Sequence, residues 1–426
     1  MDNTNILFSN ITVSMNQKTV AILIVAVVLV AGIGGAVFVM NNNNGGSDDG
    51  DTPGTDIMKD AVGRDIEVPD NLDKGIVIFG SLGVLRYVSV FDVMEHITEV
   101  DKSDTETDKF GRGYSYSYDC TGLKYHEDNV LTDKVADRIG NEPPSLVIMS
   151  EKVYRGNNLA QTLDSAVDML VIKNQTWTDF FDEDFQVSDL YRDNINMIGK
   201  ALKMEDRAAE HLAGLQAIFD DIRGLVAKDT FQQKSFYVAG LTKGGSHDWA
   251  TTFPSYLPQI LAGGVNAYDG DSTAAFISMD PEVARQYIEK CDYIIIDPSS
   301  ADRSVNDPNT KRVIDAILDI NEQRTDNDIR LFVTYPIVWD HMNYDCVLAS
   351  AYFLVPLQDP TFTIDMVEER IAHVFDVYYG ERGADIPADM KAFFEGFASE
   401  NGVELPILSE VEVGKDGGYT IKAVTA

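Results

Sequence analysis

Short apolar runs alternate with longer amphipathic stretches along most of the chain beyond residue 57. Runs of four or five apolar residues without polar alternation are typical of strands buried on both faces of a parallel sheet. A first series lies at residues 75–79, 146–149 and 169–172, and a second at residues 235–239, 293–296 and 331–334. The pattern predicts an α/β protein with two lobes, the second with helices at residues 281–289 and 311–320.

Between the two series, residues 189–228 carry apolar side chains at three- and four-residue steps. The repeating positions are Leu202, Ala209, Leu212, Leu215, Ile218, Ile222 and Leu225. This spacing puts the side chains on one face of an α-helix. We therefore predict that a single long rigid helix joins the two lobes.

Residues 19–40 form an unbroken apolar segment without a charge. At 1.5 Å per residue, a helix of this length spans about 33 Å, which is enough to cross a bilayer core. The apolar part of a signal peptide is usually about 7 to 15 residues long, so we expect an uncleaved transmembrane helix, with a cleaved signal peptide as the alternative. Lys18 on one flank and acidic residues on the other predict a cytoplasmic N-terminus.

The predicted organisation therefore runs from a membrane anchor to two extracytoplasmic lobes. Residues 41–56 are rich in Asn, Gly and Asp, a composition typical of a flexible linker. The segments are a cytoplasmic N-terminus (1–18), a transmembrane anchor (19–40), a flexible linker (41–56), an N-terminal α/β lobe (57–187), an interlobe helix region (188–228) and a C-terminal α/β lobe (229–426). Met15 is an alternative start of translation.

Charge and cysteine content exclude several classes of function. The chain of 426 residues has 34 basic and 69 acidic side chains, a net charge of −35, which repels nucleic-acid backbones. Hydrophobic residues make up 44%, so the acidity belongs to a folded surface. Cys120, Cys291 and Cys346 lack C-x-x-C spacing, so we expect core residues and no disulfide framework or zinc site.

Several ordered motifs resemble the extracytoplasmic binding proteins that serve ABC importers of ferric siderophores, haem and cobalamin. Residues 60–69, DAVGRDIEVP, resemble the D-x-x-G-R-x-V-x-V-P opening of that family. Further similar segments lie at residues 197–208, at residues 261–266 (LAGGVN), at residues 339–345 (WDHMNYD) and at residues 375–380 (FDVYYG). The resemblance covers about residues 60–380.

This resemblance implies two α/β lobes joined by one rigid helix, with ligand held in the cleft between them. The implied role is capture of an iron chelate, haem or cobalamin and its delivery to an ABC permease, whose ATPase subunits hydrolyse ATP. No G-x-x-x-x-G-K-[ST] motif is present in the chain itself. We therefore expect a monomeric binding protein on a single-pass anchor, with no cofactor and no catalytic residues.

Aromatic residues in glycine-containing loops are the candidate ligand contacts. Tyr114, Tyr116 and Tyr118 have period two, which would place them on one face of an extended cleft wall, or on the inner face of a strand packed against the core. The other candidates are His247 and Trp249 after the 235–239 strand, Trp339 and His341 after the 331–334 strand, and Arg155 and Trp177 from the first lobe. No pair has metal-ligand spacing on one element, so we assign no metal ligand.

In the resembled family, one acidic residue on each lobe docks onto permease arginines. Asp133 and Asp280 each stand thirteen residues before a predicted strand, at Leu146 and Tyr293, and we assign them this role. Glu282 is the alternative in the second lobe. An Asp at a helix start can instead cap the helix.

A second class of function is a cell-surface enzyme, such as a metal-dependent hydrolase or chelatase, since α/β folds also carry such activities. No G-x-S-x-G or H-E-x-x-H motif supports it. A surface-layer or adhesion protein would need all-β repeats, which the α/β alternation does not favour. The identity of the ligand and the role of the segment after residue 380 stay open.

Overall fold

The computed structural model describes residues 56–80, 83–105, 113–163, 166–239, 250–270, 276–297, 319–320, 329–337, 343–401, 407–413 and 419–423. These residues belong to a compact unit that spans residues 55–426. The predicted anchor (19–40) and the predicted helix at 311–320, apart from its last two residues, lie outside the described residues. None of the helices within the described ranges combines the length and apolarity that a bilayer crossing requires.

Strands β1 (Ile57–Lys59) and β2 (Asp65–Glu67) form an antiparallel hairpin that precedes the first large sheet. This five-stranded sheet is entirely parallel. It consists of β3 (Ile76–Phe79), β4 (Ile97–Asp101), β5 (Lys124–His126), β6 (Leu146–Ser150) and β7 (Met169–Ile172), in the order β5-β4-β3-β6-β7. All four residues of β3 and of β7 are buried, which explains their unbroken apolar runs.

Helices connect these strands, as parallel pairing requires. They are α1 (Val84–Ser89), α2 (Gly113–Ser117), α3 (Asp133–Asn141), α4 (Glu151–Gly156) and α5 (Asn158–Leu163). The side chains of Thr132 and Ser150 cap α3 and α4 by accepting hydrogen bonds from Val135 N and Val153 N. We call this sheet with its helices the N-terminal lobe.

The connection between the two sheets is two helices, so the prediction of a single long helix was wrong. Helix α6 (Asp189–Ala201) ends before a turn, and α7 (Glu205–Val226) starts after it. Lys203 in the turn has a φ of 57°, which breaks the helical path. Helix α6 contacts α1 and β7 of the N-terminal lobe, whereas α7 contacts α6 and helices that follow it in the chain.

The second sheet is mixed. Its strands are β8 (Ser235–Ala239), β9 (Thr251–Thr252), β10 (Val265–Asn266), β11 (Ile277–Ser278), β12 (Tyr293–Ile296), β13 (Arg330–Val333), β14 (Ser409–Val413) and β15 (Tyr419–Ala423). The main order is β11-β9-β8-β12-β13-β14-β15, with β8, β12 and β13 parallel and β14 and β15 antiparallel. Arg330 Nε and Nη2 donate to the two carboxylate oxygens of Glu410 at 2.6 and 2.7 Å, and this ion pair links β13 to β14.

The helices of the second sheet form, with it, the C-terminal lobe. They are α8 (Leu257–Leu261), α9 (Pro281–Ile288), α10 (Tyr344–Leu354), α11 (Ile364–Tyr379) and α12 (Ile386–Asn401). Every residue of α10 is buried, because this helix lies between α8, α11 and α7. One apolar cluster includes Phe180 and Tyr191 from the first half of the chain and Phe219, Tyr344 and Phe375 from the second, so the two lobes share a continuous core.

Candidate functional site

The carboxyl ends of β3 and β6 lie side by side where the strand order of the first sheet reverses. The chain runs from β3 outward to β4 and β5, then returns to place β6 on the other side of β3. Gly80 follows β3 with a φ of 129°, and a Cβ there would come within 3.1 Å of Ser150 at the end of β6. In open α/β sheets, ligands bind at such a reversal point, outside the carboxyl ends of the strands.

A buried polar cluster beside this point fixes the loop that leaves β3. The Asp101 carboxylate, at the end of β4, accepts hydrogen bonds from Gly80 N at 2.6 Å and from Asn129 N at 2.5 Å. His126 stacks on Phe79 and its Nδ1 lies 3.1 Å from Glu99 Oε1. Burial alone would lower the pKa of His126, but the hydrogen bond to Glu99 and the negative charges of Asp101 and Glu99 outweigh burial and raise this pKa.

Helix α1 starts one turn after β3 and carries Arg86 toward the C-terminal lobe. The guanidinium carbon lies 5.4 Å from the centre of the Tyr114 ring. Both terminal nitrogens of Arg86 are shielded from solvent, and neither has a hydrogen-bond partner among the described residues. Arg86 is therefore a cation at the lobe junction whose terminal nitrogens lack acceptors there.

Helices α10 and α11 supply the facing side of the junction. Asp345, buried in the first turn of α10, accepts a hydrogen bond of 2.8 Å from Tyr379 Oη and one from Cys346 N. Burial raises the pKa of the Asp345 carboxyl, although the charge of Arg86 partly opposes this effect. Gly113 at the start of α2 leaves no room for a Cβ beside Asp345 and Tyr379, so a glycine is needed for this close approach.

Aromatic stacking joins the lobes next to these polar groups. The Tyr344 ring lies on Phe180 with centroids 3.8 Å apart and an interplanar angle of 9°. Tyr344 Oη donates to Thr176 O at 3.2 Å. Asn343, which precedes α10, is 1% exposed, and both its amide atoms are buried without a hydrogen-bond partner within the described part of the chain.

The second sheet has its own buried polar group at the carboxyl ends of β12 and β13. Asp297 follows β12, is fully buried, and accepts hydrogen bonds from Tyr256 Oη at 3.3 Å and Ile337 N at 3.1 Å. Tyr256 Oη also lies 2.9 Å from Thr334 Oγ1. Residues 240–249, which follow β8 in the chain, and residues 338–342, which come after β13, lie outside the described residues.

Helix α7 holds both lobes through backbone carbonyls. Arg207 donates to Val90 O at 3.0 Å and to Val377 O at 2.9 Å, so one guanidinium contacts the N-terminal lobe and α11 together. Buried His211 lies 3.0 Å from Val377 O and 2.9 Å from Tyr191 Oη. Arg382 adds contacts to Ser89 O and Phe91 O at 3.4 and 3.3 Å.

A cavity of 520 Å³ adjoins this contact between Arg207 and α11. Its polar lining includes Asp92, Glu210, His373, Asp376 and Glu381 in addition to Arg207 and Arg382. Arg207 lies 3.2 Å from Glu210 and Arg382 lies 3.6 Å from Asp92, so both guanidinium groups already have carboxylate partners.

The three predicted tyrosines do not form an extended wall. They lie in and just after helix α2, so the expectation of period-two geometry was wrong. Tyr114 is 1% exposed and donates a hydrogen bond of 2.7 Å to Asp104 Oδ1, which matches the alternative of inward packing. Tyr116 and Tyr118 are half-buried against the same core. Ligand contact by these residues stays a prediction.

The remaining predicted contacts fall in different parts of the chain. Arg155 is exposed on α4 and pairs with Glu151 at 2.6 Å. Trp177 starts a 3₁₀ turn, Trp177–Asp179, and only the backbone of Trp177 is described. His247, Trp249, Trp339 and His341 lie outside the described residues. Their contact with ligand also stays a prediction.

The two predicted docking residues occupy matching places, each at the start of a helix that precedes a strand. Asp133 is the first residue of α3 and is exposed, while the neighbouring Thr132 caps the helix. Asp280 is exposed but caps α9 itself, since its Oδ1 accepts from Glu282 N at 3.0 Å. The capping alternative therefore holds for Asp280, and docking by either residue stays a prediction.

Sequence reasoning missed Arg86, Asn343, Asp345 and Tyr379 as junction residues. Asp345 and Tyr379 lie inside the motifs that carried the family resemblance, yet no role followed from the motifs alone. The segment GSLG at residues 80–83 could have pointed to Arg86. Glycines directly after an apolar strand are typical of a functional loop at the carboxyl edge of a sheet, and Arg86 follows three residues later.

Comparison with known proteins gives matches at the level of structure. No protein-family model and no curated protein sequence matches the chain. The TroA-like periplasmic binding protein FepB from Veillonella parvula matches 76% of this chain and 96% of its own, with 14% identity and a TM-score of 0.52. A periplasmic solute binding protein from Veillonella parvula DSM 2008 matches 82% and 99%, with 12% identity and a TM-score of 0.52. The chain therefore has the fold of TroA-like periplasmic binding proteins, as the motifs predicted.

Proposed function

We propose that this chain is a membrane-tethered, extracytoplasmic solute-binding protein that captures a small metal chelate between its lobes and delivers it to an ABC importer. The ligand class is an iron chelate, haem or cobalamin, and the chain performs no chemistry on it. The observation that carries the proposal is the pairing of two α/β lobes, with the fold of periplasmic binding proteins, around a junction rich in buried aromatic and polar groups.

The geometry of the junction supports capture without a large closing motion. Arg207 on α7 binds Val90 O of the N-terminal lobe and Val377 O of α11, and Tyr344 stacks on Phe180 across the junction. Separating the lobes would break these buried contacts, so their relative orientation is expected to be fixed. A rigid site loses little conformational freedom on binding, which favours affinity for a solute of matching shape.

The residues predicted from the sequence complete this proposal. Trp249 and His247 would contact ligand from the loop after β8, and Trp339 and His341 from the loop after β13. Flat aromatic surface suits the large ring systems and aromatic chelators of this ligand class. The anchor at residues 19–40 would keep the protein near its permease.

A ligand panel tests the proposal directly. Full-length protein in mild detergent is titrated with a ferric tris-catecholate complex, haemin, neutral ferrichrome and cyanocobalamin. One of them should raise the stability of the fold, by about 2.7 kcal/mol at 100 times its dissociation constant. Thermal unfolding and quenching of tryptophan fluorescence are the measurements.

The matched controls are the metal-free chelators, metal-free protoporphyrin and ferric citrate. A solute that binds as a metal complex should shift the transition more than its metal-free form does. If none of the four complexes changes the unfolding transition or the fluorescence, the proposed ligand class is wrong.

A further inference from the structure

Arg86 and Asn343 are buried polar groups at the lobe junction that have no hydrogen-bond partner for their terminal atoms among the described residues, and they come from opposite lobes. Arg86 belongs to α1 of the N-terminal lobe, and Asn343 precedes α10 of the C-terminal lobe. Within the described ranges, no hydrogen bond satisfies the terminal nitrogens of Arg86 or the amide of Asn343. Unsatisfied buried groups are rare in folded proteins and each requires a physical explanation.

The cost of leaving Arg86 in this state is large. Most arginines in the described part of the chain are paired, for example Arg64 with Asp60 at 2.6 Å and Arg330 with Glu410 at 2.6 Å. A cation removed from water without hydrogen-bond acceptors destabilises the folded state. With 69 acidic residues in the chain, a direct carboxylate partner would have been easy to provide.

The position of Arg86 suggests what would satisfy it. Helix α1 follows β3 directly, at the point where the strand order reverses. Arg86 is also close enough to Asp345 for its charge to act on that carboxyl, although the two form no ion pair within 4.0 Å. The guanidinium therefore lies where the fold is expected to bind its solute, and no described residue accepts a hydrogen bond from its terminal nitrogens.

We propose that Arg86 binds an anionic oxygen of the transported solute, so that this protein selects chelates bearing carboxylate or catecholate groups over neutral ones. This inference rests on the proposed solute-binding function. A planar guanidinium with two terminal nitrogens matches paired oxygens of this kind. Because the chain as a whole carries a charge of −35, local positive charge is needed to hold an anion in the cleft. Asn343 supplies a neutral donor from the other lobe.

The alternative is that Arg86 only balances the charge of Asp345. The test therefore compares Asp345→Asn with the double variant Arg86→Met/Asp345→Asn, in which no buried carboxylate is left without a cation. Methionine keeps the apolar volume of the arginine stem without its charge. Arg285→Met is the matched control, because Arg285 is a partly exposed arginine that pairs with Glu289 on its own helix.

Binding of the ferric tris-catecholate complex, haemin and ferrichrome to these full-length variants is measured by fluorescence titration. We expect the tris-catecholate or haemin to bind, and the double variant to bind it roughly 10- to 100-fold more weakly than Asp345→Asn does. The Arg285→Met control should retain wild-type affinity. Which of the two anions binds distinguishes a catecholate from a carboxylate solute.

Three results would overturn the assignment. The first is equal affinity, within twofold, of the double variant and Asp345→Asn for the anionic complex. The second is binding of ferrichrome alone. The third is that Arg86→Met destabilises the fold, that adding Asp345→Asn restores the stability, and that the affinity for the anionic complex is the same in all variants. This result would mean that Arg86 only balances the charge of Asp345. If no complex binds the wild-type chain, the proposed function itself fails.

Discussion

His211 is a fully buried histidine held between a backbone carbonyl and a tyrosine. Its Nδ1 lies 3.0 Å from Val377 O, which can only accept, so this nitrogen carries the proton. Nε2 lies 2.9 Å from Tyr191 Oη and accepts its hydrogen bond. Burial lowers the pKa of His211 to about 3, so the ring is neutral in the folded protein at physiological pH.

Acid should destabilise the fold through this residue. Below the ordinary histidine pKa of about 6.5, the unfolded chain binds a proton that folded His211 does not, so stability falls as pH decreases from 6.5 toward 3. At pH 5 the loss should be about 2 kcal/mol relative to pH 7. His211→Gln keeps a hydrogen-bond donor and an acceptor but cannot titrate. In urea unfolding, the difference in the free energy of unfolding between pH 7 and pH 5 should be smaller for this variant than for the wild type.

His373→Gln is the control, since His373 is an exposed residue of α11. This variant should keep the wild-type difference between pH 5 and pH 7. If His211→Gln also keeps it, another group causes the acid destabilisation.

At the scale of elements, the turn between α6 and α7 stores backbone strain. Lys203 has a φ of 57°, a left-handed conformation that costs a residue with a Cβ roughly 1 kcal/mol more than it costs glycine. The side chain lies 3.7 Å from the exposed Asp70, a contact of small value in water.

Lys203→Gly should therefore stabilise the protein relative to Lys203→Ala, by about 0.5 to 1 kcal/mol, because only glycine relieves the strain. The urea midpoint of each variant provides the measurement. A glycine variant no more stable than the alanine variant would show that the turn is not strained.

The predictability of the elements follows the burial of their side chains. The strands at 169–172, 235–239 and 293–296 were predicted with their observed bounds, because nearly all of their residues are apolar and buried; only Ser235 and Tyr293, at the strand starts, are partly exposed. Strand β4 was missed because Glu99 and Asp101, although buried, bind His126, Arg138 and backbone amides instead of packing in an apolar core.

Local sequence could not reveal contacts that depend on the assembled lobes. The apolar spacing continues through Leu202, which is buried, so the turn before α7 left no break in the pattern. The helix at Gly113–Ser117 depends on a close approach to Asp345 and Tyr379, more than 200 residues away in sequence. The alternation of Tyr and Ser in this segment is as compatible with a strand as with a helix. Local sequence therefore did not distinguish the two, whereas the contact with Asp345 and Tyr379 favours the helix.

At the scale of the molecule, exposed carboxylates on both lobes are available to a partner. Asp133 and Asp280 start helices α3 and α9, which precede the buried strands β6 and β12. Each carboxylate would meet an arginine of one permease subunit, so that a single molecule contacts both. Such rim pairs speed and orient association more than they add affinity, and added salt weakens them.

The double variant Asp133→Arg/Asp280→Arg should abolish stimulation of the importer's ATPase in proteoliposomes, because both charges would then be repelled. Ligand affinity, measured separately, should not change. The control is Asp189→Arg/Asp365→Arg, which makes the same change in charge at two exposed positions in the first turns of α6 and α11. Normal stimulation by the first variant would exclude these two residues as the docking pair.

The contacts of Arg207 also bear on how such a protein diversifies over evolutionary time. Arg207 donates to main-chain oxygens in both lobes: that of Val90 in the N-terminal lobe and those of Val377 and Tyr378 in the C-terminal lobe. Every amino acid has this main-chain oxygen. Substitutions at those positions can therefore accumulate without removing the acceptors. A lineage can exchange the side chains around its cleft for a new nutrient while the angle between the lobes is inherited unchanged.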